Sequence, residues 1–346
     1  MKDILLFALL GLGGGAVIAG MAMAVLVTYR GSGIINLGTG AVSMVTAFAF
    51  WALRSGYFGP EFPTVVAIAI AMLAAIVVGV LSELVVFRPL RTSSPLAKLV
   101  ASLGILLVLQ ATMLLWFGEI PRQIPSVFPS GIVTVFGKSI PANRFWMAGV
   151  VLVLAVALWA LFRYTRFGLA TRAASENEVF AMLAGLSPNQ LSMANTLLAS
   201  AIAGAMGIVA APLAQADSLT LVLFVVPALA AALFAGFTSL WVACLAGFGI
   251  GIGQSLMTWV STLSWFPTDK GNPMPGVQGL LTFLLLVLAI SLRGASLPTR
   301  GELVEKRLPI APRPRHLLRP SVVLAVLGVV LLIVLPFSYR QALMLS

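Results

Sequence analysis

Backbone N–H and C=O groups cannot be left unpaired in hydrocarbon, so the repeated long apolar runs of this chain constrain its fold more than any motif does. Runs able to cross about 30 Å of hydrocarbon occur at roughly 5–29, 34–53, 63–87, 96–117 and 145–162, then at roughly 190–213, 220–238, 241–261, 277–292 and 320–337. The expected fold class is therefore an all-α, polytopic transmembrane bundle of about nine spans plus one additional C-terminal span. The run at 277–292 is short enough to need support from its neighbours.

Composition excludes the soluble classes. With 60% hydrophobic residues, 9% charged residues and a mean hydropathy of +1.08, a water-soluble domain would expose large apolar patches. The formal net charge of +11 then serves to orient spans against a cytoplasmic leaflet, not to bind nucleic acid. Cys244 is the only cysteine and lies in an apolar run, so it reads as a packed small hydrophobe; there is no disulfide and no thiolate cluster to hold a metal. The N-terminal stretch MKDILLFALLGLGGG continues past Val27 without an A-x-A-like cleavage site and reads as a retained span.

The longest polar segment between membrane-grade runs is RYTRFGLATRAASENEVFAMLAGLSPNQLSMAN, from Arg163 to Asn195. Ser175 and Glu178 have capping-box spacing, which predicts a short helix over 176–185 with Glu176 and Glu178 near its positive end and Gly185 closing it. Val179, Met182, Leu183 and Leu186 fall on one face, and Phe180 widens the stripe. Ser187, Pro188 and Gln190 start a second helix leading back into the membrane. Such an amphipathic helix either lies on lipid headgroups or docks in a partner's groove.

If this segment is cytoplasmic, the inside loops hold fourteen basic residues: Arg30, Arg88, Arg91, Lys98, Arg163, Arg166, Arg172 and seven from Arg293 to Arg319. The other side holds seven, which places the N-terminus outside. The Pro-rich loop at 118–144 is then external and expected to form an ordered cap. Its GIVTVFGKS is one residue too long for a phosphate-binding loop. No paired intramembrane aspartates and no Ser-His arrangement appear, so an enzyme is not expected and there are no catalytic, cofactor or metal-binding candidates. Glu83 is the only acid inside a span and is expected to snorkel or pair beside Arg88.

Polar residues within spans are candidates for a translocation path or for interhelical hydrogen bonds. Asn36, Gly38, Thr39, Ser43 and Thr46 cluster after a Gly31-Ser32-Gly33 break, where transporters tend to expose backbone to solute; Gln110 and Gln254 sit in later spans. GLGGG at 11–15 and GFGIGIG at 247–253 read as close-packing faces.

Four motifs, spread over about residues 5–292, resemble permease subunits of the branched-chain amino acid and urea ABC importer family. They are GIINLGTGAVSM, RPLRTSSPLAKLVASLGILLVLQ, the segment ASENEVFAMLAGLS and VPALAAALFAGFTSLWVACLAGFGIGIGQSL. The family commonly has a His and a Glu after the early Asn, where this chain has Thr39 and Ala41. The resemblance implies a bacterial inner-membrane importer subunit for branched-chain or other hydrophobic amino acids. It would be driven by separate ATPase subunits gripping the 176–185 helix, with a second permease and an extracellular solute-binding protein as partners. The alternative is a stand-alone channel for urea, amides or similar solutes, with a non-transporting scaffold as a third class.

The permease domain is expected over 1–292 and a basic linker over 293–319. The run at 320–346 resembles the opening of the family's second permease type, as in the first half of a fused pair, and on that reading 324–335 packs loosely; one extra terminal helix is the alternative.

Overall fold

The computed structural model describes residues 2–293, apart from 58, 92, 119, 125, 130, 136–137, 215–216, 262, 264–267, 270–271 and 274–276. The expected linker after Arg293 and the additional span at 320–346 lie outside the described residues.

Twelve α-helices follow in order among the described residues: α1 (Lys2–Ser32), α2 (Gly38–Arg54), α3 (Thr64–Leu81), α4 (Pro95–Phe117), α5 (Asn143–Tyr164), α6 (Arg166–Glu176), α7 (Glu178–Leu183), α8 (Pro188–Ala214), α9 (Ser218–Leu223), α10 (Val225–Phe234), α11 (Leu240–Val260) and α12 (Val277–Arg293). Of these, α1, α3 with its extension to Phe87, α4, α5, α8 and α11 are long and apolar enough to cross a membrane. The all-α polytopic class therefore holds. Polar residues start several helices where expected of caps: Ser94 Oγ accepts from Ala97 N before Pro95 opens α4, and Ser239 Oγ accepts from Val242 N at the start of α11.

The run at 220–238 is apolar throughout but is not one continuous helix. It breaks at Phe224 into α9 and α10, because Pro227 lacks an N–H and its ring crowds the carbonyl four residues back, at Leu223. Gly236 and Phe237, at φ +56° and +54°, then turn the chain into α11, and the Phe237 ring is held 4.4 Å from that of Tyr29. The 118–144 loop carries a two-stranded hairpin, β1 (Ile132–Val135) paired antiparallel with β2 (Lys138–Pro141), with Ile140 buried. Residues 132–135 and 138–139 of GIVTVFGKS thus fall on strands rather than on a phosphate loop.

The core is built around α1, whose residues from Ala16 to Val27 are buried, with α11 and α8 packed beside it and α2 packed on α8. The two glycine-rich stretches meet face to face. A Cβ on Gly251 would stand 2.2 Å from Gly15 Cα, and one on Gly247 would stand 2.4 Å from Ala19 Cα, so α1 and α11 touch backbone to backbone. Helices α3 and α4, by contrast, leave Val65, Leu73, Val85, Leu107, Val108 and Leu115 exposed, the pattern of lipid-facing or partner-facing surfaces.

Candidate translocation path and coupling surface

Helix α1 ends where Ser32 Oγ bonds back to Thr28 O at 2.9 Å and accepts from Ile34 N at 3.3 Å, while Gly33 turns the chain at φ +70°. Residues up to Leu37 are then non-helical, and buried side chains meet their backbone groups. Asn36 Oδ1 accepts from Gly38 N at 2.9 Å, and Thr39 Oγ1 donates to Asn36 O at 2.6 Å. From α4, Ser102 Oγ accepts from Leu37 N at 3.3 Å and directs its own proton between Leu99 O (2.8 Å) and Ile35 O (3.4 Å). A Cβ on Gly38 would lie 3.0 Å from Asn36 Oδ1 and 3.2 Å from Ile105, so the break is wedged against α4. Ser102 was missed because a lone serine in a leucine-rich run carries no periodic signal.

The other path candidates are placed differently. Ser43 and Thr46 donate back to Gly40 O and Val42 O, both at 2.7 Å, where α2 meets Gly207 and Gly204 of α8. Gln110 is half-buried further along α4. Gln254 donates to Thr282 Oγ1 at 2.8 Å and ties α11 to α12. The structure thus gathers Asn36, Gly38, Thr39 and Ser102 at one break in the bundle, sets Ser43 and Thr46 on the α2–α8 contact, and leaves Gln254 in an interhelical bond.

The polar segment is two helices. Thr165 caps α6 by accepting from Gly168 N at 3.2 Å, and α6 is clamped to α8 by Asn195 Nδ2 donating to Thr171 Oγ1 at 3.2 Å. The cap of α7 is Asn177, accepting from Phe180 N at 3.0 Å, and not Ser175, whose hydroxyl donates to Arg172 O within α6. The expected 176–185 helix is therefore corrected to Glu178–Leu183, and Glu176 ends α6 instead of opening the next helix. Gly185, at φ +81°, terminates the turn.

Only Ala181 of α7 is buried. Val179, Phe180, Met182 and Leu183 are exposed, Leu183 by 78%, and Leu186 is half-buried. Arg91, in the loop between α3 and α4, bonds both Glu178 and Asn189 and so fastens α7 to the start of α8. Nothing in the sequence spacing pointed to Arg91, since its partners lie 87 and 98 residues away.

Glu83 does not pair with Arg88 as expected. It sits on a turn of π-helix, Ser82–Phe87, is 5% exposed, and accepts from Ser192 Oγ at 2.6 Å and Thr196 Oγ1 at 2.9 Å, both on α8. The i, i+4 spacing of those two hydroxyls on one helix face was the available signal. Replacing Glu83 with alanine removes two charge-assisted bonds and is expected to destabilise the purified protein by about 2–3 kcal/mol, with Glu83→Gln milder because one acceptor remains. Thermal unfolding in detergent checks this; equal midpoints for Glu83→Ala and the parent would refute it.

Comparison with known proteins bears on this arrangement. The family model described as branched-chain amino acid transport system / permease component matches residues 7–290. The high-affinity branched-chain amino acid transport system permease protein LivH of Escherichia coli (strain K12) is 26% identical over 203 residues, which cover 56% of this chain and 66% of that protein. The probable branched-chain amino acid transport permease protein LivH of Methanocaldococcus jannaschii is 26% identical over 248 residues, 69% of this chain and 76% of that protein. Among solved structures, PsaBC from Streptococcus pneumoniae in complex with Fab aligns over 83% of this chain and 90% of that one, at 18% identity and a TM-score of 0.43, a likeness too distant to build on. Members of the matched family are transport components and not enzymes, and the six long apolar helices fit a multi-pass membrane protein. With its match running from the first helix to the last one described, the chain belongs to the branched-chain amino acid transport system permease family.

Proposed function

We propose that the chain is a permease subunit of an ABC importer for branched-chain or other hydrophobic amino acids, in the inner membrane with its N-terminus outside. The observation that carries this is α7: a short helix tied to the α3–α4 loop and to α8 through Arg91, presenting four exposed apolar side chains beside a membrane bundle of this family. ATP is hydrolysed by separate ATPase subunits that grip this helix. A second permease completes the pair, and an extracellular binding protein delivers solute.

The path runs past the break at Gly33–Leu37, where Ser102 holds the backbone of Ile35 and Leu37 beside Asn36, Gly38 and Thr39, and continues by Ser43, with Gln110 and Gln254 as further candidates on α4 and α11. Helices α2 and α12 and the α9–α10 pair cross with the six long helices, making about nine spans over the described residues.

Proteoliposomes test the reading. Uptake of labelled leucine is expected only when this chain, its permease partner, the ATPase, ATP and the binding protein are all present. Downhill flux of urea or amides through this chain alone, at channel-like rates, would overturn it in favour of a facilitator; absence of flux with every partner combination would leave a scaffold.

A further inference from the structure

Where the end of α1 meets α5, α6 and the start of α11, Arg30, Arg163 and Arg172 line one cleft of about 240 Å³. Trp159, Phe162 and Trp241 form its apolar walls, and no carboxylate is among the described residues that line it. Arg30 is already fixed: it donates to Thr238 O and lies 5.2 Å over the Phe162 ring. Arg163 and Arg172 are exposed. Guanidiniums converging in one cleft repel one another, as Arg172 does Arg30, and an anion with several acceptor oxygens removes that repulsion while satisfying their forked donors.

The surroundings identify the anion's source. Trp159 and Trp241 are each about one-third exposed at the mouth, as aromatic side chains are at a membrane–water boundary. From Trp159, Val156 and Val153 continue along the same exposed face of α5, three residues apart; from Trp241, Leu245 continues along α11. A basic cleft thus opens onto two apolar tracks that point along the membrane helices. A free anion would use the cleft and leave the tracks bare, and an acidic protein surface would meet exposed valine and leucine.

We propose that this cleft binds the headgroup phosphate of an anionic phospholipid, with its acyl chains lying on the exposed faces of α5 and α11. The site depends on the membrane location of the chain and not on the importer reading.

The test uses the full chain purified in detergent, with thermal unfolding followed as phosphatidylglycerol, phosphatidylcholine or inorganic phosphate is added. Phosphatidylglycerol is expected to raise the midpoint where the other two do not. In the R163Q/R172Q double variant, the phosphatidylglycerol concentration giving half the shift should rise by about tenfold or more, the loss of one charge-assisted contact or more. The R163K/R172K pair should fall between the parent and the glutamine pair, since the charges remain but the forked donors do not. If the glutamine pair fails to fold, R163Q and R172Q singly, each at an exposed position, carry the same comparison. An equal shift with phosphatidylcholine or inorganic phosphate would overturn the proposal. So would an unchanged phosphatidylglycerol response in the glutamine variants, including the case where those variants lose capture of the ATPase subunit, which would make the cluster a protein-docking patch.

Discussion

Leu183→Asp is expected to abolish ATP-driven uptake in the reconstituted importer while leaving the permease folded. Leu183 is 78% exposed in the chain, so the substitution removes no packing there, and surface changes of this kind usually cost within about 0.5 kcal/mol. In the proposed complex the same side chain enters a cleft of the ATPase, where a carboxylate would be buried without a partner, at a cost on the order of 3–5 kcal/mol. That corresponds to a fall in docking affinity of about two to nearly four orders of magnitude. Met182→Asp should act in the same direction, since Met182 shares the exposed face, and Ala181 is the residue of α7 that faces inward. Uptake and solute-stimulated ATP hydrolysis, measured on the same vesicles, should be lost together while gel filtration of the variant is unchanged. Retention of both activities would remove α7 from the coupling surface.

Much of this arrangement was legible because membrane helices announce themselves by run length alone. Arg163–Asn195 stood out because it was polar between two such runs, and its apolar stripe at Val179, Phe180, Met182 and Leu183 is the one the structure leaves uncovered. The boundary was misplaced because Ser175, Glu176, Asn177 and Glu178 offer two overlapping start signals. The backbone chose Asn177, whose side-chain carbonyl reaches Phe180 N, and used Ser175 inside the preceding helix. The break at Phe224 was missed for a different reason: Pro227 was read as part of an apolar run, although it interrupts the helical ladder wherever hydropathy stays high. Glu83 shows the limit of local reasoning. Arg88 was the nearest charge in sequence, but the π-turn carries Glu83 towards α8, and its donors lie 109 and 113 residues away. Contacts of that separation are set by how helices pack, which spacing within one run does not encode.

The packing of α1 on α11 makes the second large prediction. Gly249 and Gly251 lie two residues apart in the same apolar stretch and are indistinguishable by hydropathy. A Cβ on Gly249 meets nothing within 4 Å, whereas one on Gly251 would stand 2.2 Å from both the Cα and the N of Gly15, and those are backbone atoms that cannot swing aside. Gly251→Val therefore forces α1 and α11 apart along a contact that also brings Gly11 against Ile252 and Gly247 against Ala19. Overpacking of a tight interface costs about 1–3 kcal/mol and more where backbone must move, so a loss of 3 kcal/mol or above is expected, enough to reduce recovery of monodisperse protein from the membrane. Gly249→Ala should be neutral or slightly stabilising, by up to about 1 kcal/mol, because alanine favours helix and has open space. Because α1 also packs against α5, α6 and α8, separation at Gly251 would loosen the helix that carries Arg30 and the break at Gly33–Leu37. Detergent extraction and thermal unfolding of the two variants side by side measure the difference; equal yields and midpoints would mean that the glycine faces do not hold these helices together.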